Sequence, residues 1–140
     1  MKYLLDTNVV SELRKIASGA ADQRVKQWAE RLDSETASLS AVTLLELEVG
    51  TLLMERRDKR QGAMLRAWFE DQVLVTFAGR ILPVDQPILM RCAAFHVPHP
   101  MEYRDSLIAA TALVHGMTLV TRNSAHFEPA GIEILNPWKP

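Results

Sequence analysis

One cysteine, Cys92, is all that the sequence holds. A lone thiol excludes an internal disulfide and a cysteine-built metal site. It stands in the apolar-rich segment Ile88-Leu89-Met90-Arg91-Cys92-Ala93-Ala94-Phe95, which predicts a buried structural thiol. No apolar run approaches the roughly 20 residues that cross a bilayer, so no membrane partner is expected. The opening stretch before Asp6 is too short for the apolar core of a signal peptide, and cytoplasmic residence is the expectation. An excess of either charge is also missing: 16 Lys and Arg against 17 Asp and Glu leave a net charge of −1. Bulk charge therefore points to neither nucleic acid nor membrane, and attraction to a polyanion must come from local basic groups or bound metal. Repeats, low-complexity tracts and linker-like stretches are absent. The 140 residues, 1–140, read as one domain with a core of its own.

What is present is an alternation of short strands and helices. Lys2 to Leu5 is an apolar run that stops at Asp6-Thr7-Asn8, as a buried strand does. Helices are predicted over Val9 to Ile16, Gln23 to Leu32, Ala41 to Arg56 with Ser40 as N-cap, Asp58 to Gln72, Pro87 to Phe95 and Glu102 to His115. Gly116 reads as the stop of the last of these. Thr36 to Leu39, Arg80 to Val84, Thr118 to Thr121 and Ile132 to Leu135 read as strands. This order implies an α/β fold with a mostly parallel sheet covered on both faces.

In such a sheet, ligands bind beyond the carboxyl ends of the strands. Asp6 ends the first strand, and Asn123 follows the strand at Thr118 to Thr121, so neighbouring parallel strands would open both onto one crevice. Val42, Glu46, Val49 and Leu53 share one helical face, otherwise apolar, which points Glu46 inward while Glu48 faces solvent. A lone carboxylate is costly to bury unless it is paired or binds metal. Asp105 stands in a first helical turn, where negative charge is favoured, on the face of Ile108, Ala109 and Ala112. Three acids and an amide form an oxygen-only site that suits Mg2+ or Mn2+ and disfavours zinc. Each member alone has a plainer reading: Asp6 as a helix cap, Asp105 as a helix-start charge, Glu46 as a residue on a misjudged face.

Four segments carry a family resemblance. Leu4-Leu5-Asp6-Thr7-Asn8-Val9, Ser40-Ala41-Val42-Thr43-Leu44-Leu45-Glu46-Leu47, Asp105-Ser106-Leu107-Ile108-Ala109-Ala110-Thr111-Ala112 and Val120-Thr121-Arg122-Asn123 resemble the signature segments of PIN-domain ribonucleases. The match is nearest to the VapC-type toxins of toxin–antitoxin pairs, in the FitB-like branch, and the tail from Phe127 to Trp138 is similar too. The resemblance implies a PIN-like three-layer sandwich and a Mg2+-dependent endoribonuclease, with Mn2+ able to substitute. It implies that Asp6, Glu46 and Asp105 hold the metal, that Asn123 fills the fourth position, and that 5′-phosphate and 3′-hydroxyl products result. A homodimer and inhibition by a small VapB-like antitoxin are also implied. The departure is His126, where relatives carry Asp before the Phe; it becomes a candidate outer-shell or RNA-contacting group.

Thr7 and Thr121 are candidates to hydrogen-bond the acids. Arg104 and Arg122 flank site residues and are candidates to touch RNA, more so than the run Arg56, Arg57, Lys59 and Arg60, which reads as a solvated junction. His96 and His99 do not make a zinc pair, because Pro98 between them breaks the helical spacing. Trp28, Trp68 and Phe69 read as core or interface. Leu53, Met54, Ala63, Leu65 and Ala67 could form a dimer or antitoxin surface. A phosphoacceptor signalling domain also gathers acids at strand ends, but it wants a lysine after the last strands, and only Lys139 follows Thr121. A catalytically weak PIN-fold binding module stays open because of His126.

Overall fold

A computed structural model describes residues 1–140. Five short strands form one parallel sheet in the order β3-β2-β1-β4-β5, with β1 at Tyr3–Leu5, β2 at Ala37–Ser40, β3 at Ile81–Leu82, β4 at Thr118–Val120 and β5 at Ile134–Leu135. Successive side chains of a strand face opposite ways, and both faces here are apolar. Leu5, Leu39 and Val120 enter one core with Val9, Val10, Leu47, Phe69 and Val73. Leu4 and Leu119 enter the other with Val42, Ile108, Ala109, Ala112 and Phe127. Two cores around one sheet make the expected three-layer sandwich.

The helices are α1 (Thr7–Arg14), α2 (Gln23–Arg31), α3 (Ala41–Arg57), α4 (Lys59–Trp68), α5 (Leu74–Thr76), α6 (Gln86–Phe95), α7 (Tyr103–Val114) and α8 (Ser124–Phe127). Their starts are capped as short polar side chains dictate: Ser40 accepts from the Val42 N–H, Asp58 from Gln61, and Asp85 from Ile88. No helix is long and apolar enough to cross a membrane. Cys92 is buried, and Trp28, Trp68 and Phe69 pack against the first core, as expected.

Three expectations need correction. The face of α3 drawn through Val42, Glu46, Val49 and Leu53 is not the buried one: Val49 is 47% exposed and Leu53 64%. Thr43, Leu47 and Thr51 form the inward stripe, with Val42 beside it. Its threonines hide because they satisfy themselves. Thr51 Oγ1 donates to the Leu47 carbonyl at 2.8 Å, and Thr43 Oγ1 meets Thr7 Oγ1 at 3.2 Å. Glu48 is not simply solvated, since Arg66 binds it at 2.7 Å and Glu55 at 2.8 Å, fastening α4 to α3. The helix predicted over Asp58 to Gln72 continues instead through a π turn, Phe69–Val73, into α5.

Arg66 has a companion in Gly62. Here α4 crosses α3 so closely that a Cβ on Gly62 would overlap the Glu55 backbone. Gly62→Ala is expected to destabilise the fold by about 1–3 kcal/mol, read by urea denaturation, because backbone must move to admit the methyl group.

Candidate active site

Asp6 ends β1 and begins α1, so its carboxylate sits where the sheet opens. It serves as the N-cap, accepting from the Thr7 N–H at 2.8 Å. The same carboxylate accepts from Thr121 Oγ1 at 2.7 Å and from Asn8 Nδ2 at 3.2 Å. The helix-cap reading of Asp6 is correct, and the cap leaves its carboxylate at the end of the sheet where the site was expected. Thr121 can reach it because β4 lies beside β1 in parallel, with Leu5 opposite Val120. Asp6 is only 6% exposed, and burial raises its pKa despite these hydrogen bonds.

Glu46 sits on α3 at the margin of the buried stripe, where Thr7 Oγ1 donates to its Oε1 at 3.0 Å. Burial raises its pKa, and the charges of Asp6 and Asp105 push the same way. Asp105 lies in the first turn of α7, its N–H capped by Glu102 at 2.9 Å. Its pKa is raised by burial first, then by the neighbouring charges of Glu102 and Asp6. Three carboxylates from three distant segments therefore sense one another electrostatically. Thr7 and Thr121 hold two of them, as the sequence suggested.

The remaining candidates divide. Arg104 approaches Glu46 at 3.8 Å and Glu102 at 3.3 Å, with most of its side chain exposed. His126 Nδ1 stands 3.8 Å from Asp105 Oδ2 and is exposed. Asn123 is less engaged. Its backbone N–H donates to Thr121 Oγ1 at 3.0 Å, while its side chain is exposed and caps nothing. Arg122 lays its guanidinium 5.4 Å from the centre of the Trp138 ring. Its carbonyl accepts from Asn136, so it fastens the C-terminal tail.

Asn8 is the residue that sequence reasoning passed over. Its amide nitrogen bridges Asp6 and Thr121, and its Oδ1 accepts from the Arg122 N–H at 3.2 Å. An asparagine two residues beyond a strand-ending aspartate, with a threonine ending the neighbouring strand, is the pattern that could have revealed it.

The donor set fits a hard divalent cation. It is all oxygen, its acids are pushed toward protonation, and the one nearby guanidinium, on Arg104, is shared with Glu102. No three acidic or imidazole side chains close into a chelating shell as they stand. Mg2+ keeps several waters and takes one or two carboxylates directly, so it is the oxygen chemistry of these side chains that fits it.

The PIN domain family model matches residues 3–131. The VapC ribonuclease Y4jK of Sinorhizobium fredii is 37% identical over 98% of this chain and 98% of its own. The crystal structure of FitAcB from Neisseria gonorrhoeae superposes with a TM-score of 0.89 at 34% identity, covering 99% of both chains. A toxin-antitoxin complex from Klebsiella pneumoniae gives 0.67 at 27% identity, over 99% of this chain and 100% of that one. With its fold, its carboxylate arrangement and a match across nearly the whole sequence, this chain belongs to the PIN domain family.

Proposed function

We propose that this protein is a Mg2+-dependent endoribonuclease, the toxin of a VapBC-type pair, restrained by a cognate VapB-like antitoxin. One observation carries the reading. Asp6, Glu46 and Asp105 are brought to one sheet edge and burdened by burial and mutual repulsion, a cost that structure alone does not require. The similarity to a VapC ribonuclease and to a toxin-antitoxin complex supports the reaction and the partner.

Asp6 and Asp105 would hold the ion, with Glu46 as the third acid, directly or through water. Bound there, it would offset charge on the phosphate oxygens and make water a better nucleophile. The chain's own work is positional. Thr121 and Asn8 fix the rotamer of Asp6, and Thr7 fixes Glu46. Arg104, exposed beside Glu46, is placed to meet an RNA phosphate. Asn123, whose backbone N–H is held by Thr121, would orient water or the substrate. The exposed apolar side chains of α3 and α4, among them Leu45, Leu52, Leu53 and Met64, offer a surface for the antitoxin or a second copy.

The test is cleavage of purified RNA. The expected result is endonucleolytic cutting that stops in EDTA and returns with excess Mg2+ or Mn2+. His126 beside Asp105, where the family resemblance leads to the expectation of an acid, favours a second reading, a catalytically weak PIN-fold binding module. RNA that stays intact at every metal concentration would favour that module.

A further inference from the structure

Gly50 is left unexplained by the fold. It lies inside α3, one turn beyond Glu46, where glycine is disfavoured against alanine. Packing does not demand it, because a Cβ built there meets nothing within 4 Å. Gly62, on the partner helix, is the opposite case. The space over Gly50 belongs to an open pocket of about 260 Å3 that starts at Thr7 and Glu46. Leu65 and half-buried Trp68 form its apolar wall. Arg14 lines it too, with its guanidinium 5.9 Å from the Trp68 ring centre.

We infer that this pocket receives the base of an RNA nucleotide flanking the scissile bond, with Arg14 on the adjoining phosphate. The inference rests on the ribonuclease reading above. An aromatic side chain beside a cation is what single-stranded nucleic acid uses, since every base has a face to stack and every link a charge. The pocket is smaller than the ~300 Å3 at which drug-sized sites begin, which suits one base. It also opens directly from Glu46, so a bound base lies next to the reacting phosphate. With a net charge of −1 overall, local cations of this kind must supply the attraction. Glycine at position 50 keeps the room clear.

Gly50→Leu fills the pocket from a position where a side chain has space and a helix gains a better former. The probe is a fluorescent 2′-O-methyl oligoribonucleotide of mixed sequence, followed by anisotropy in EDTA. Cleavage of a random RNA pool in Mg2+, with sequencing of the new ends, runs beside it. The expected result is a melting temperature no lower than the parent's and a Kd raised about tenfold or more. Base preference at one nucleotide beside the cut should flatten, with KM affected more than kcat. Arg14→Gln should weaken binding severalfold and reduce the salt slope by about 0.7, and it serves alone if Gly50→Leu does not fold. Oligonucleotide binding lost in Gly50→Leu by a parent that cuts nothing would sink the ribonuclease reading and keep the pocket. Undetectable binding by the parent, or an unchanged Kd and cleavage pattern in both variants, would overturn the inference. So would a defect confined to binding a VapB-like antitoxin.

Discussion

Asp6→Asn is expected to lower kcat/KM for RNA on the order of a thousand-fold while the far-ultraviolet spectrum stays unchanged. Asparagine keeps the shape of the side chain and the acceptor that caps the Thr7 N–H. It removes the charge on which the proposed ion binding would depend, at the most buried of the three acids. The same variant should alter how stability depends on pH. Asp6, Glu46 and Asp105 all have raised pKa values in the folded protein. An acid of that kind contributes stability that is full below its unfolded value, near 3.8 for Asp and 4.5 for Glu. That contribution is lost as pH rises through the folded value. Without divalent ions, the native protein should thus lose stability from mildly acidic pH toward neutrality, and Asp6→Asn should lose less. Glu12 and Glu102 work the other way, because their lowered values withdraw stability as pH falls. Melting curves in EDTA across pH 4 to 8 read both trends, and a profile identical in parent and variant would contradict the assignment.

Phe127→Ala should cost about 3–5 kcal/mol in urea denaturation, a large share of the ~5–15 kcal/mol that holds a domain of this size. Phe127 is fully buried among Leu4, Val42, Ile108 and Leu119. It is also the only buried residue of α8, a helix of four residues that cannot persist by its own hydrogen bonds. Truncation empties a space that the sheet cannot collapse to fill. It also loosens α8, which begins at Asn123, so cleavage should fall along with stability.

Much of this was legible in the sequence, though not always for the right reason. Asp6 and Asn123 were paired because strand ends in a parallel sheet share one edge, and β1 and β4 are indeed parallel neighbours. It is Thr121, suggested only as a hydrogen-bond partner, that meets Asp6, while the Asn123 side chain stays exposed. Glu46 was singled out through an apolar face that turned out to be partly solvent-exposed. The buried stripe runs through threonines, which a hydrophobic pattern does not register. The helical face assigned to Asp105 was read correctly, since Ile108, Ala109 and Ala112 are all buried. Asn8 was missed because it was read as part of the turn after β1, and its amide was not followed across to the neighbouring strand, where Thr121 and Arg122 meet it. Arg122 was assigned to substrate because it flanks the site, while the returning tail claims it through Trp138 and Asn136. The π turn at Phe69–Val73 leaves no compositional mark, because one extra residue in a helix alters register without altering chemistry.

The bond from Thr121 to Asp6 spans 115 positions of the chain. β1 leaves the ribosome well before β4, the neighbour whose following threonine orients its aspartate. A growing polypeptide therefore carries Asp6 without its hydroxyl clamp until β4 has been translated and has slotted in beside β1. Fragments ending before Thr121 should be inert, because nothing in them can hold the carboxylate of Asp6 as Thr121 does.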